Sequence, residues 1–477
     1  MITASANAVI GERMALRPDA QLAAGGDGSP VIRFQFRELP FPDLPPGARK
    51  ALHAVATGPG LTIAEFIRNV TADGHAALPR GLWLLNELKR WALLSRTIEI
   101  DGRAALTAIP LGYSGSAPRQ QGETAGLRIL SRFAILRRDG ADFVIESPLS
   151  HQKIVIHDAA LLALTAELAT AFDGEQLASR LPALDPAFVA AAVALLDDAG
   201  MLSAVSGDGV PSDEQAPWRT WDVHDLYFHS RSRRGRHSNA YGGTFRRIED
   251  NIPALKPPAE GASIALETPD RDSIADPSFE TVMQTRRSIR THASTPMTRQ
   301  QLGEFLYRSV RVIEHGSNAE GDWTRRRYPG AGGLYELEVY PVIGACSGIE
   351  PGLYHYRPGD HALTPLQSAT PEVMQLLREG GITAAMTAPP QILFVITCRF
   401  ARVSAKYESI AYSLCLKDAG VLMQTMYLVA TAMGLAPCAL GGGDSDLFAR
   451  ASTLPYLEEG AVAEFVLGQP DATGAAS

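Results

Sequence analysis

The chain has 477 residues, 45% of them hydrophobic and 20% charged, with a net charge of −8. That length suits two or three domains. The charge points to neither nucleic acid nor an anionic membrane surface, and no apolar run reaches membrane-spanning length.

The opening stretch, MITASANAVIGERMALRPDA, lacks a basic end followed by an apolar core, so no secretory signal is expected there. The four cysteines, Cys346, Cys398, Cys415 and Cys438, form no C-x-x-C pair and no zinc quartet. Each sits in an apolar stretch. Buried reduced thiols, no metal site and a cytoplasmic protein are the expectation.

In chain order, two blocks follow one plan. The first, 1–112, has strand candidates RMALRPD and VIRFQFREL on either side of a loop at 23–30. Helix candidates ARKALHAVAT, TIAEFIRNV and PRGLWLLNELKRWALL follow. Pro79 suits a first helical turn, and Leu85, Leu88 and Ala92 keep helical spacing. Asp101-Gly102 is a hairpin signal. A Gly-, Ser- and Gln-rich linker spans 112–126. The second block, 126–206, opens with RFAILRRDGADFVIES, turning at Asp139-Gly140. Its helices have Asp158 and Asp185 as N-caps, Pro186 at a first helical position and Gly200 past an end. A hairpin, helices and a terminal strand, used twice, predict tandem winged-helix-like modules.

Such modules bind DNA or peptide, or simply pack. The helix at 79–94 mixes Arg80, Lys89 and Arg90 with Glu87, and the helix at 186–199 has no basic residue but carries Asp197 and Asp198. That charge argues against DNA. An edge strand that accepts a peptide as an added strand is the better functional expectation, beside a plain scaffold. Residues 207–273 read as a connector with a linker at 206–217, a basic and aromatic stretch at 221–247 and a Pro-rich run at 252–273. His224 and His229 lie five apart but have no third ligand at useful spacing. A basic arm that meets a substrate or partner subunit stays open for this stretch.

From 274 to 477 the chain reads α+β. Helices are expected at 277–286, 298–309, 371–379, 406–434 and 444–452. Strands are expected in YELEVYPVIG, GLYHYRP, QILFVITCRF and AVAEFVLG. Thr298 with Gln301 forms a capping-box pattern.

Three stretches carry chemistry. QTRRSIRTH puts Arg286, Arg287, Ser288 and Arg290 within five residues, a donor set suited to phosphate. RRYPGAGGLYELEVY makes a loop of Pro329, Gly330, Ala331, Gly332 and Gly333 that lets backbone N–H groups approach a flat or anionic ligand. GLAPCALGGGDSDLFAR sets Gly441, Gly442 and Gly443 before a helix capped by Asp444 or Ser445. A fourth stretch, AKYESIAYSLCLKDAG, places Lys406 and Tyr407 at the mouth of the expected helix. The pair is either an acid/base pair over a reactive site or a snorkelling lysine beside a half-buried tyrosine.

Taken together, Arg-Arg-Ser-x-Arg, the Pro-Gly-x-Gly-Gly loop before ELEVYPV, PGLYHYRP and DAGVLMQTMYLVATAMGLAPCALGG resemble the flavin-dependent nitroreductase superfamily, and within it the SagB-type oxidases. The resemblance covers about 275–470 and implies a nitroreductase-like domain, a mixed or antiparallel sheet flanked by helices, with FMN at a homodimer interface. It implies that Arg286, Arg287, Ser288 and Arg290 hold the FMN phosphate and ribityl end. Pro329, Gly330, Ala331 and Gly332 would border the ring, and Gly441 and Gly442 its other edge. Many nitroreductases have a further basic residue near the C-terminus; here Arg450 is what could substitute. The N-terminal extension fits the winged-helix or peptide-clamp modules of this branch.

The resemblance further implies dehydrogenation of thiazoline or oxazoline rings to thiazoles or oxazoles in a ribosomally synthesised precursor peptide. Lys406 and Tyr407 fall where azoline oxidases keep a Lys-Tyr pair. One ring carbon gives up a proton and its neighbour a hydride, so a base is needed; which of the two serves is left open. A cyclodehydratase is a possible partner. The alternatives are an NAD(P)H-dependent nitro or quinone reductase and a non-catalytic leader-peptide-binding subunit.

Overall fold

A strand buried along its whole length must be covered on both faces. Leu337–Ile343 and Ile392–Arg399 are buried throughout and run antiparallel, side by side. The computed structural model describes residues 9–34, 37–72, 74–112, 126–158, 161–247, 252–259, 261–270, 272, 274–318 and 321–471. The chain divides into two units, Met1–Asn239 and Ala240–Ser477.

The C-terminal unit holds a seven-stranded sheet. Its order is Ile264–Ala265, Ala362–Ser368, Gly352–Arg357, Leu337–Ile343, Ile392–Arg399, Glu459–Gly468 and Ala436–Leu440, every neighbour antiparallel. Side chains alternate across a strand. Leu337, Val339, Phe394 and Ile396 therefore share one layer with Phe305 and Leu306 of helix Arg299–Ser309 and Leu422 and Met426 of helix Ala411–Ala432. Tyr340, Val342, Leu393 and Val395 share the other with Leu376 and Leu377 of helix Pro371–Thr383 and Leu447 and Phe448 of helix Ser445–Ser452. The expected α+β domain, an antiparallel sheet flanked by helices, is what forms.

Local signals hold where short-range hydrogen bonds decide. Thr298 and Gln301 close a capping box. Asp444, not Ser445, caps the last helix by accepting the Leu447 N–H at 2.8 Å. The helix expected at 371–379 runs on to Thr383.

One boundary differs in a way that matters. The helix expected at 406–434 is Ala411–Ala432, and Lys406 lies outside it. Tyr407–Glu408 is instead a two-residue strand paired with Gly242–Gly243. Thr244 and Phe245 both donate their N–H to the Lys406 carbonyl, at 3.0 and 3.1 Å. Ser409 has φ +63, which a right-handed helix does not continue through. A segment expected to be plain connector thus sets the backbone of the Lys-Tyr pair.

In the N-terminal unit a six-stranded antiparallel sheet runs Ile10–Leu16, Leu94–Ile100, Arg103–Pro110, Gln152–Ile156, Asp142–Glu146, Ile135–Asp139. Both blocks contribute to it. Ile98, Leu106 and Ala108 of the first pack with Phe188, Leu195 and Leu196 of the second. Asp101 and Gly102 both take positive φ at the hairpin. Asp185 accepts the N–H groups of Ala187 and Phe188. The single strand expected in VIRFQFREL is two, Pro30–Phe34 and Arg37–Pro40. Helix Val223–Arg231 lies within the stretch read as connector. Residues 1–8 and the heart of the 112–126 linker, 113–125, lie outside the described residues. Among the described residues no helix is long and apolar enough to cross a membrane.

Candidate functional site

The Pro329–Gly333 loop meets the Lys-Tyr pair at Gly332. Gly332 has φ +57, and a β-carbon placed on it would collide with the Tyr407 hydroxyl and lie 3.2 Å from Lys406 Nζ. Only a residue without a side chain lets the loop approach both groups. Lys406 Nζ lies 5.2 Å from the Phe245 ring centroid and 5.8 Å from that of Tyr407. That aromatic setting suits an ammonium. Gly332 and Gly333 are exposed, so the loop also has an open face.

The loop is held from the helix side. Asp418, buried on Ala411–Ala432, accepts the Ala331 N–H at 2.6 Å. Its carboxyl also meets that of Glu336, which burial raises to about 7. Beside them the Cys398 thiol donates to Cys415 Sγ at 2.9 Å, and Cys415 Sγ lies 3.3 Å from the Ala411 carbonyl. All four cysteines are buried and unbridged, as expected. Sequence reasoning overlooked Asp418, Glu336 and Phe245. The D of the DAG stretch was the available signal, but its partner across 87 residues was not.

The arginine run follows helix Phe279–Thr285. Its backbone is pinned where the Ile289 N–H donates to the Pro437 carbonyl at 2.8 Å. Ser288 Oγ lies 2.7 Å from the Tyr427 hydroxyl, which accepts the Ala439 N–H at 2.7 Å. The Arg286 guanidinium stands 5.2 Å from the Tyr427 ring centroid. Arg290 is exposed, and Arg287 is half-buried. Tyr427 thus ties the arginine run to the strand leading to Gly441. Tyr427→Phe strands the part-buried Ala439 N–H, a loss of about 1 kcal/mol. A thermal melt is expected to show the drop, with weaker FMN retention; an unchanged melt would remove Tyr427 from this role.

Gly441, Gly442 and Gly443 are all exposed. A β-carbon at Gly441 would meet nothing within 4 Å, whereas one at Gly443 would collide with the Glu464 carboxyl. Burial, with Asp444 and Glu379 nearby, raises Glu464 to about 7. The structure joins Gly332 directly to Lys406 and Tyr407, and Ser288 to Tyr427. It shows no direct contact between Gly441 or Gly442 and either group among the described residues.

These residues fit an FMN. The anionic end would find forked guanidiniums and a hydroxyl, and a flat ring would find backbone free of side chains at Gly332 and Gly441.

The fold is that of a nitroreductase-like oxidoreductase domain, and comparison with known proteins agrees. Residues 283–468 match the nitroreductase family model, and residues 128–238 match the model of the cyanobactin oxidase ThcOx. The C-terminal unit carries a nitroreductase-family domain, and the resemblance read from the sequence is borne out. MJ1384 of Methanocaldococcus jannaschii, named as a nitroreductase, is 26% identical over 181 residues, 38% of this chain and 85% of its own. The trifolitoxin-processing protein TfxB of Rhizobium leguminosarum bv. trifolii is 28% identical over 152 residues, 31% of this chain and 41% of its own. The microcin B17-processing protein McbC of Escherichia coli is 28% identical over 137 residues, 27% of this chain and 50% of its own. The matched stretches thus take in half or less of TfxB and of McbC.

Proposed function

We propose that this protein is an FMN-dependent oxidase that converts thiazoline or oxazoline rings of a precursor peptide into thiazoles or oxazoles. The observation that carries the reading is the approach of the Tyr407 hydroxyl and Lys406 Nζ to Gly332 of the loop. A nitroreductase has no need of a paired acid and base there, whereas removal of a proton from ring carbon does. Support also comes from the ThcOx match and from two relatives named for processing trifolitoxin and microcin B17.

FMN, when bound, supplies the two-electron acceptor. Arg286, Arg287, Ser288 and Arg290 would hold its phosphate and ribityl end. Pro329, Gly330, Ala331 and Gly332 would border the ring on one side, and Gly441 and Gly442 on another. Either Lys406 or Tyr407 takes the ring proton, and the other orients it. Phe245 and the backbone of Thr244 keep the pair in place, and Asp418 holds the loop through Ala331. The exposed apolar side chains Phe279, Met283, Tyr456 and Leu457 support a homodimer. The two N-terminal blocks act as winged-helix-like modules that hold the peptide, and a cyclodehydratase supplies its azolines. The protein works in the cytoplasm.

The test is an anaerobic visible spectrum before and after an azoline-containing peptide is added. The flavin band is expected to bleach with peptide and to persist with NADPH. Bleaching with NADPH alone would make the protein a reductase. No flavin band, with no uptake of added FMN, would leave a peptide-binding subunit.

A further inference from the structure

Behind the loop, two carboxyl groups meet, and one of them has no hydrogen-bond donor among the described residues. Asp418 Oδ2 takes the Ala331 N–H, and its carboxyl also meets Glu336. Glu336 is 0% exposed, and among the described residues neither of its oxygens has a hydrogen-bond donor. A buried ionised carboxylate without a donor is costly, and two facing carboxylates repel. A single proton between them removes both problems.

We propose that Glu336 and Asp418 hold one proton in common, and that this proton keeps the Pro329–Gly333 loop seated against Lys406 and Tyr407. Both are positioning residues. The second clause rests on the flavin reading above; the shared proton does not.

The groups around the pair divide cleanly. Burial is the largest influence and favours keeping the proton, raising both acids. Arg326 and Arg402, both buried, and Lys417, exposed beside Asp418, pull the other way. Burial raises Tyr328 and the hydrogen bond to Cys415 Sγ raises the Cys398 thiol, so both are neutral neighbours. Arg326 spends one N–H on the Leu337 carbonyl at 3.0 Å, and Arg402 is engaged by the Leu334 and Asp322 carbonyls. Neither arginine donates to Glu336. As pH rises through about 7 the proton leaves. Two anions then face each other, and the anchor of Ala331 loosens.

The experiment uses the full chain and two isosteric variants. Glu336→Gln keeps a donor that no pH removes. Asp418→Asn keeps an acceptor for Ala331 and needs no proton. Infrared spectra at pH 6 and pH 9 are expected to show a protonated-carboxyl band in the wild type that is lost at the higher pH. Glu464 contributes a band of its own, so the difference against Glu336→Gln isolates Glu336. FMN affinity of the wild type is expected to fall about tenfold between pH 6 and pH 8, against less than about twofold in either variant. Amide exchange over 329–333, compared with the variants at equal pH, should quicken in the wild type alone. A missing band, or parallel pH slopes in all three proteins, overturns the proposal. If FMN binds at no pH, the flavin reading fails; the infrared spectra and amide exchange still decide the pair.

Discussion

Tyr407→Phe and Lys406→Ala are each expected to slow azoline oxidation by about 10²–10⁴-fold, the range a positioned acid or base contributes. Bound FMN is expected to remain in both, because the residues assigned to its phosphate end, Arg286, Arg287, Ser288 and Arg290, are untouched. The reasoning is geometric. The Tyr407 hydroxyl and Lys406 Nζ converge on the exposed Gly332, and among the described residues neither has a hydrogen-bond or ion-pair partner. Their backbone is fixed from the other side by Thr244 and Phe245. A snorkelling lysine would not need its carbonyl held by two amides. Single-turnover bleaching of the flavin by peptide is the measurement. Near-normal rates in both variants would sink the acid/base assignment while leaving the flavin reading intact. A loss in one variant alone would name the base.

Gly332→Ala is the second large effect. Two costs coincide at this position. Its φ of +57 strains any residue with a β-carbon by about 1–2 kcal/mol. The added methyl also runs into the Tyr407 hydroxyl, so the catalytic pair must move. A misplacement of about 1 Å costs on the order of 10²-fold in rate. The expectation is therefore a loss of at least about 10²-fold, with a modest fall in Tm, about 2–8 °C for such a strain. Gly333→Ala is the control. Gly333 has φ +71, but a β-carbon there meets nothing within 4 Å. It should suffer the strain and keep most of the rate. Equal losses in the two variants would mean that strain alone matters, and that Gly332 does not set the distance to Tyr407.

How much of this site was legible beforehand varies residue by residue. The arginine run, the Pro-Gly loop, the glycine triplet and the Lys-Tyr pair were all visible as residue types at short spacing. The capping box at Thr298 and the hairpin at Asp101-Gly102 were too, since each is settled within a few residues. Phe245 and Asp418 were not. Phe245 sits 161 positions before Lys406 in a stretch whose composition says only connector. Asp418 reads as an ordinary helical aspartate until Ala331 is beside it. Glu336 looks like one more strand residue.

The amino-acid sequence by itself determined the class of the C-terminal unit and the inventory of its chemistry. Hydrophobic alternation, caps and glycine placement are local, and local physics decides them. Tertiary structure alone decided which of those groups meet. It started the helix at Ala411, after Lys406, whose carbonyl instead accepts the backbone amides of Thr244 and Phe245. It set Gly332 against the Lys-Tyr pair, and it placed two carboxyls in a pocket where burial holds a proton on them. Burial and approach over tens to hundreds of residues belong to the folded chain, and no spacing in the sequence encodes them.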